Sequence, residues 1–136
     1  MPRERGIYLI LRLANAPPIF LPHSAGGHFK GKDPSVDVTI LQRNWLDKPI
    51  VVYIGKAGSQ NGKATLKKRL WQYMEFGLGK PVGHRGGRYI WQLADVKDLL
   101  VCWKPTLFVD PAVIEKHLIQ AFQAKYGRPP FANLRT

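Results

Sequence analysis

Cysteine, acidic residues and long apolar runs are all scarce in this sequence. The one cysteine, Cys102, cannot form an internal disulfide, and nothing in the composition requires an oxidising compartment. Because Cys102 lies within an apolar run, we expect a small buried thiol. The apolar stretch at residues 7–11 ends at Arg12 and is too short for a secretory signal or a bilayer span. We therefore expect a cytoplasmic protein with no membrane partner.

Acidic residues number 9 against 21 lysines and arginines, which gives a formal net charge of +12. Such an excess favours a polyanionic partner, and nucleic acid is the commonest one. An anionic membrane surface is less favoured because no basic helix with a clean apolar face accompanies the charge, and a merely solubilising charge is the remaining alternative. With 136 residues and a hydrophobic content of 45%, we expect one folded domain over residues 1–136.

Several common functional motifs are absent from the sequence. The four histidines and Cys102 lack zinc-ligand spacing, so we expect no structural zinc. The glycine-rich stretch at residues 58–64 is one residue too short for a phosphate-binding P-loop, and Ala64 stands where Ser or Thr must hold magnesium. There is no Gly-x-Ser-x-Gly elbow. Nucleoside triphosphate and serine-hydrolase sites are therefore excluded.

Strand and helix patterns alternate along the chain. Strands are predicted at residues 6–13, 49–54, 88–93 and 99–103, and helices at residues 64–76 and from residue 110 onwards. Gly55 is expected to end the second strand. Asp110 is a good N-cap for the last helix, and Pro111 suits its first helical position. This mixed order indicates a small α/β (α+β) layer structure.

The first predicted helix carries polar side chains beside an apolar stripe. Leu66, Leu70 and Met74 recur at every fourth position and form the predicted core stripe. Arg69 and Tyr73 are also four residues apart. They therefore share a half-buried face beside the stripe, where both can contact the same ligand.

The last predicted helix places a carboxylate at the border of its apolar face. Its apolar repeat consists of Ile114, Leu118 and Phe122. Glu115 lies one position round from this repeat, at the edge of the buried face beside Ile119. A carboxylate at such a position needs a partner.

Four pieces of the sequence together resemble the GIY-YIG nuclease superfamily. In chain order they are Gly6-Ile7-Tyr8; Tyr53-Ile54-Gly55-Lys56; residues 66–73 with Arg69; and Glu115, Leu118, Ile119 and Asn133. Any one piece alone would be a weak signal, but the ordered set on the expected elements is a strong one. The second and third pieces look particularly similar to the nuclease domain of the bacterial excision-repair incision subunit.

The resemblance implies a GIY-YIG fold, in which helices flank a small three-stranded antiparallel sheet. It also implies an endonuclease that hydrolyses DNA phosphodiester bonds with one Mg²⁺ or Mn²⁺. Glu115 is the metal ligand by position, because one carboxylate with waters suits either cation; an ion pair with a lysine or arginine is the alternative. Tyr8 and Tyr53 would border the attacking water. Tyr8 is the preferred general base and Tyr53 its hydrogen-bonding partner, with the reverse assignment left open.

Further residues complete the catalytic set that the resemblance implies. A phenol with a pKa of about 10 acts as a base only where cations favour its ionised form, and Lys56 and Arg69 are placed for this. Arg69 can also bind two phosphate oxygens at once, which suits a transition-state role. Tyr73 stands where many family members have His. Asn133 matches a terminal Asn that supports the site by hydrogen bonding, although its spacing from Glu115 is longer here.

The segment at residues 14–47 is interpreted as a long insertion between the GIY and YIG strands. It places the two tyrosines 45 positions apart, which is unusual for a hairpin connection. Its prolines and glycines break regular structure, and the alternation of Val36, Val38 and Ile40 predicts a short strand within it. We hypothesise that the segment forms a flap over DNA. Deleting most of it should then change substrate choice or weaken DNA binding.

Basic residues are the predicted DNA contacts. The stretch at residues 83–88 predicts either a contact with the DNA backbone or an exposed basic hairpin turn. The four tryptophans are either stacking platforms for bases or core residues. The predicted DNA contacts are Lys30, Lys32, Arg43, Lys63, Lys67, Lys68, His84, Arg85 and Arg88.

Branched or damaged DNA, as in repair, is the predicted partner. Because 136 residues leave no room for a separate recognition domain, specificity would be low, directed by DNA structure, or supplied by a homodimer or a protein partner. A catalytically inactive DNA-binding module and an accessory subunit are the two rival functions. The presence of Tyr8, Tyr53, Arg69 and Glu115 argues against both, since binding needs only a basic surface.

Overall fold

A computed structural model gives the arrangement of the elements. It describes residues 4–23, 35–58, 65–77, 85–106 and 108–133, and at residues 73, 75–77 and 85–87 it describes the backbone alone. In chain order the elements are β1 (Gly6–Leu11), α1 (Val38–Asn44), β2 (Val51–Ala57), α2 (Leu66–Gly77), α3 (Arg85–Ile90), a short 3-10 turn (Val96–Asp98), β3 (Leu100–Pro105) and α4 (Pro111–Tyr126). The described part of the chain is therefore α+β.

The three strands form one antiparallel sheet in the order β2-β1-β3. Tyr8 in the middle of β1 lies opposite Gly55 of β2 and Trp103 of β3, and Ile10 lies opposite Tyr53. Directly opposed residues point to the same face of a sheet, and alternate residues along a strand share a face. Tyr8 and Tyr53 are thus diagonal neighbours on one face. The predicted three-stranded antiparallel sheet with flanking helices is confirmed.

The strand ends differ from the prediction at both tyrosine strands. Gly55 does not end β2, because it pairs with Tyr8 and the strand continues to Ala57. β1 ends at Leu11, where the register with β2 shifts. Glycine lowers strand propensity in isolation, but here the pairing of β2 with the buried central strand β1 outweighs that preference.

The strand predicted at residues 88–93 is wrong, because α3 occupies Arg85–Ile90 and a turn follows it. Ile90 and Leu93 are both fully buried. Their spacing of three residues is a helical spacing, and the N–H of Leu93 donates to the carbonyl of Ile90 at 3.0 Å. The run of β-forming residues suggested a strand, but the buried residues Ile90 and Leu93 have the spacing of a helical turn.

The strand predicted at residues 36–40 is also wrong, since α1 begins at Val38. Asp37 is the N-cap, and its Oδ1 accepts a hydrogen bond from the N–H of Thr39 at 2.9 Å. Leu41 is buried, whereas Ile40 is exposed. The N-cap therefore outweighs a short alternation of β-branched residues.

The apolar stripes of α2 and α4 are confirmed only in part. Leu66 and Leu70 are buried, but Met74 is 51% exposed; in α4 Phe122 is buried, but Leu118 is 38% exposed. A spacing of four residues advances about 40° per step around a helix, so its third member lies about 80° from the first. A stripe of strict four-residue spacing therefore crosses the boundary of the buried face: it leaves that face at Met74 in α2 and enters it at Phe122 in α4.

Both ends of the segment at residues 14–47 belong to the core. Leu41 and Val36 are buried, and Phe20 packs against Phe131 with ring centroids 5.8 Å apart. The fully buried Gln92 binds the segment through its amide, which accepts from the N–H of Val36 at 2.7 Å and donates to its carbonyl at 2.7 Å. A deletion that preserves the fold must therefore spare these core residues.

Arg12, which ends the apolar run of β1, forms a nearly buried ion pair. Its Nε lies 2.9 Å from Oδ2 of Asp95, and its guanidinium lies over the Trp45 ring. Its backbone N–H also donates to the carbonyl of Ile50 at 2.8 Å. These contacts fix the end of β1 that lies away from α2.

Cys102 is exposed, so the predicted buried thiol is wrong. Cys102 lies in β3, an edge strand whose residues are largely exposed. The apolar residues Leu100 and Trp103 suggested burial, but no helix of the described residues covers this strand closely.

Among the residues that the structure describes, none of the helices has the length and apolarity needed to span a bilayer.

Candidate active site

Two tyrosines on adjacent strands form the centre of the candidate site. The ring centroids of Tyr8 and Tyr53 are 5.8 Å apart, and the rings are inclined by 40°. Their hydroxyl groups are hydrogen-bonded, and the bond raises the pKa of Tyr8 while it lowers the pKa of Tyr53. The hydrogen bond therefore favours ionisation of Tyr53 over ionisation of Tyr8, and an ionised Tyr53 would accept from the Tyr8 hydroxyl group. Tyr8 is fully buried, whereas Tyr53 is only partly buried.

Gly55 makes room for this pair of rings. A Cβ atom at Gly55 would lie 2.6 Å from the Tyr8 hydroxyl oxygen and 2.7 Å from Cε2 of Tyr53, and it would overlap Cζ of Tyr8. Real Cβ atoms do not approach other heavy atoms so closely. The sequence predicted Gly55 only as a strand end, but its physical requirement is clearance above the strand.

The start of α2 is fixed against the tyrosine face of the sheet. The N–H of Leu66 donates to the carbonyl of Glu4 at 2.8 Å, and both Leu66 and Leu70 are buried. Gly6 permits this close approach, because a Cβ there would lie 2.7 Å from Cδ1 of Leu66. The buried stripe of α2 thereby points Arg69 towards the tyrosines.

Arg69 links the tyrosine pair to α2. It is hydrogen-bonded to the hydroxyl groups of both Tyr8 and Tyr53, and its positive charge lowers the pKa of each. Its Nη1 also donates to Oε1 of Gln72 at 3.3 Å. Gln72 was not predicted as a site residue, although its spacing of three residues from Arg69 on a helix is the signal that finds it.

α4 is a well-defined helix that carries the only predicted metal ligand. Asp110 accepts a hydrogen bond from the N–H of Ala112 at 2.9 Å, Pro111 occupies the first turn, and Gly127 ends the helix with φ of 82°. The predicted N-cap and the proline position are confirmed. The left-handed conformation at the C-cap favours glycine.

Glu115 lies within the buried face of α4. Each residue of a helix is rotated by about 100° from the one before it. Viewed down the axis of α4, Glu115 therefore lies between Phe122 and Ile119, and all three are on the same face as Pro111. Pro111, Ile119 and Phe122 are the buried residues of α4, and Glu115 is partly buried. The sequence placed Glu115 at the edge of this face, and the burial places it nearer the middle.

The charges of the site act in opposite directions on Glu115 and Tyr53. Burial raises the pKa of Glu115, and the positive charges of Lys56 and Arg69 lower it. Burial also raises the pKa of Tyr53, the hydrogen bond from Tyr8 and the charge of Arg69 lower it, and the charge of Glu115 raises it. Glu115, Lys56, Arg69 and the tyrosines therefore form one electrostatically coupled cluster.

Tyr8 has the stronger resistance to ionisation. Burial raises its pKa well above the ordinary value, and the charge and hydrogen bond of Tyr53 raise it further, against the opposing effect of Arg69. Of the two phenols, Tyr53 is therefore the one that ionises first.

Asn133 fixes the outer edge of β2 beside Tyr53. Its Oδ1 accepts from the N–H of Ile54 at 2.9 Å, and its Nδ2 donates to the carbonyl of Ile54 at 2.8 Å. The N–H of Ala132 donates to the carbonyl of Val52 at 2.8 Å. These contacts make Asn133 a positioning residue for the strand that carries Tyr53, despite its unusual spacing from Glu115.

The predicted site residues are thus brought together where their side chains are described. Tyr8, Tyr53, Lys56, Arg69 and Glu115 interact, and Asn133 holds the adjacent backbone. Tyr73 lies in α2, one helical turn after Arg69, and its side chain is outside the described part.

The predicted DNA contacts are distributed over α1, α2 and α3. Lys67 and Lys68 are exposed on α2, Arg43 is exposed on α1, and Arg88 is partly buried on α3. Arg85 starts α3, which replaces the predicted basic hairpin turn, and its side chain is not described. Four further predicted contacts lie outside the described residues: Lys30, Lys32, Lys63 and His84.

The cluster offers one carboxylate, that of Glu115, to a divalent metal ion. Among the described residues, no group of three or more His, Cys, Asp or Glu side chains is placed to hold a metal ion. Glu115 is a partly buried carboxylate beside the positive charges of Lys56 and Arg69. A single carboxylate with water and phosphate ligands fits Mg²⁺ or Mn²⁺, which keep several non-protein ligands.

Comparisons with known proteins give no match, since no protein-family model, curated protein or solved structure is detectably similar to the chain. The cluster is therefore interpreted from its own geometry and chemistry.

Proposed function

We propose that the chain is a GIY-YIG endonuclease that hydrolyses DNA phosphodiester bonds with one Mg²⁺ or Mn²⁺. One observation carries the proposal: Tyr8, Tyr53, Arg69 and Glu115, from four separate elements, interact in a single cluster. These four residues are the ones that the resemblance implies. Apolar side chains would fill the same space with less loss of solvation, so stability alone does not account for the cluster.

Tyr53 is the general base in this proposal. The base must contact the attacking water, and Tyr8 has no exposed surface while Tyr53 is partly accessible. The proton of the water moves to the Tyr53 oxygen, and the hydrogen bond that Tyr8 donates stabilises the ionised form of Tyr53. This assignment reverses the preference drawn from the sequence, which had left the order of the tyrosines open.

The cations of the cluster bind the phosphate. Arg69 has a planar guanidinium that can donate two parallel hydrogen bonds to phosphate oxygens as negative charge grows in the transition state. Lys56 adds a second positive charge beside Glu115. A bound phosphate is negatively charged and would by itself favour ionisation of neither tyrosine. The positive charges must therefore remain close to Tyr53.

Glu115 would hold the metal ion. A bound Mg²⁺ or Mn²⁺ supplies Lewis-acid neutralisation of the phosphate charge. Glu115 would hold the ion from helix α4, whose ends are fixed by an N-cap and a C-cap. In the same proposal, residues 14–47 are the insertion between the two tyrosine strands, anchored in the core at both ends.

A cleavage assay tests the proposal directly. The purified protein is incubated with supercoiled, branched and single-stranded DNA in Mg²⁺, in Mn²⁺, and in EDTA. We expect metal-dependent nicking or incision of at least one substrate. Binding without cleavage of any substrate in either metal would overturn the nuclease and favour a DNA-binding module.

Replacement of each tyrosine by phenylalanine distinguishes the two possible bases. Tyr53→Phe removes the accepting oxygen, and we expect cleavage to fall about 100-fold or more. Tyr8→Phe removes one hydrogen bond to that oxygen, and we expect a loss of about 10-fold. Because the pKa of Tyr53 is raised, the wild-type rate should increase about tenfold per pH unit through neutral and mildly alkaline pH.

The pH profile is the discriminating measurement for this pair. Tyr8→Phe should keep the rising profile, whereas Tyr53→Phe should flatten it. A larger loss and a flattened profile in Tyr8→Phe would assign the base to Tyr8 instead.

A further inference from the structure

A second feature of α2 lies outside the catalytic cluster. Trp71 is 57% exposed, although tryptophan has a large apolar ring that is usually buried. Trp71 lines an open groove of ≈ 570 Å³ together with Thr65, Lys67 and Lys68, among the residues that are described. The groove is lined by an aromatic ring and two lysines, and it is large enough for a nucleobase.

Trp71 does not belong to the core stripe of its helix. Leu66 and Leu70 are buried on the inner face of α2, and Trp71 lies about 100° further round than Leu70. Trp45 and Trp91, in contrast, are partly buried and pack against the core. The sequence left core packing and base stacking open for all four tryptophans, and the exposure of Trp71 separates it from these two.

The charge of the groove suits a polyanion. Lys67 and Lys68 are both exposed beside Trp71, and no acidic residue is among the groove residues that the structure describes. The chain as a whole carries a net charge of +12. A peptide or lipid occupant would use the aromatic ring but would not require two adjacent cations and an overall basic protein.

The groove and the catalytic cluster lie on different sides of α2. Arg69 and Trp71 are two residues apart, so their side chains leave the helix about 200° apart. A strand bound at Arg69 must therefore cross the width of the helix, about 10 Å, to reach the groove. A nucleotide in the groove lies a few positions from the scissile phosphate.

We propose that this groove binds an unpaired nucleotide of the DNA substrate, with its base stacked on Trp71 and its flanking phosphates on Lys67 and Lys68. The inference rests on the proposed DNA cleavage and names the substrate class: DNA with a single-stranded stretch next to the cleavage position. In a perfect duplex the faces of the bases are already stacked on each other, so they cannot stack on Trp71.

A binding measurement without chemistry tests the groove. The full chain in EDTA is titrated into two fluorescein-labelled DNAs of equal length, one a perfect duplex and one with a single-stranded flap. Stacking on one aromatic side chain predicts that Trp71→Ala weakens flap binding about 10-fold. Duplex binding should change less than about 2-fold, because the lysines and the basic surface remain.

Two variants serve as controls for this measurement. Trp71→Phe keeps an aromatic face and should restore most of the flap binding. Phe108→Ala removes another exposed aromatic, 96% exposed, outside the groove and should change neither affinity. Thermal unfolding should be nearly unchanged in all three variants, since each replaced side chain is largely exposed.

The outcomes separate the groove from the nuclease. Two results would overturn the groove as a nucleotide site and favour another occupant such as a protein. Either Trp71→Ala binds flap DNA with wild-type affinity, or it loses affinity for flap and duplex DNA equally. Flap-selective loss without cleavage by the wild type would support the groove while the proposed nuclease activity fails. Cleavage that is insensitive to Trp71 would leave the nuclease intact and overturn the groove alone.

Discussion

Glu115→Gln should abolish metal-dependent cleavage while DNA binding persists. The substitution keeps the size of the side chain and removes the charge that would hold Mg²⁺ or Mn²⁺. We expect cleavage to fall at least about 100-fold, since a bound metal ion contributes several kcal/mol of charge stabilisation to such a transition state. Affinity for DNA in EDTA should stay within about 2-fold of wild type, because the basic residues are unchanged.

The same variant should be more stable than the wild type at neutral pH in EDTA. Burial raises the pKa of Glu115 in the folded protein above its ordinary value of 4.5, so folding disfavours the ionised carboxylate. The protonated carboxyl group therefore contributes fully to the stability of the fold below pH 4.5. This contribution is lost as the pH rises through the raised pKa of the folded protein. Glutamine carries no charge to desolvate. We expect an increase of about 2 °C in Tm at pH 7, and no increase well below pH 4.5.

Added Mg²⁺ reverses this order if Glu115 holds the metal. Ligand binding to the folded state raises Tm, so Mg²⁺ should stabilise the wild type and leave Glu115→Gln unchanged. Asp98→Asn is the matched control, because it removes one exposed carboxylate outside the site. It should cleave DNA as the wild type does and retain the Mg²⁺ response. Cleavage by Glu115→Gln at the wild-type rate would exclude Glu115 as the essential ligand.

The parts of the fold that follow local rules were predictable from the sequence. Asp110 and Pro111 identify the start of α4, and apolar runs of β-forming residues identify β1 and β2. Helical periodicity then places Arg69 beside the buried stripe of α2. Each of these inferences uses only spacing within one element, where local propensity and tertiary packing favour the same structure.

The parts that depend on long-range packing were not predictable. The exposure of Cys102 follows from the position of β3 at the edge of the sheet, which its apolar sequence does not reveal. The helical turn at Ile90 depends on burial against distant residues. For the same reason, the sequence could not decide between Tyr8 and Tyr53 as base, because accessibility to water is a property of the assembled sheet and helices.

Gly55→Ala should disrupt the site from a position that bears no chemical group. The added methyl carbon would overlap Cζ of Tyr8 and lie 2.7 Å from Cε2 of Tyr53. Neither neighbour can give way easily, because Tyr8 is fully buried and Asn133 holds Ile54 on both its N–H and its carbonyl. The two hydroxyl groups must therefore shift relative to Arg69.

The expected loss of cleavage is about 100-fold, the effect of misplacing a reacting group by about 1 Å. Overpacking should also lower the free energy of unfolding by about 1–3 kcal/mol, which chemical denaturation measures. Gly127→Ala is the matched control. Gly127 has φ of 82° and no neighbouring atom within 4 Å of an added Cβ, so alanine there costs stability through backbone strain of about 1–2 kcal/mol.

The comparison of the two glycine variants separates stability from catalysis. Both should unfold at lower denaturant concentration, but only Gly55→Ala should lose cleavage under conditions where each variant is fully folded. Because Gly127 lies at the C-cap of α4, about three turns from Glu115, its strain should not reach the tyrosines. Equal activity in the two variants would show that close packing of Tyr8 and Tyr53 is not required for the reaction, and the assignment of the proton acceptor to this pair would then be wrong.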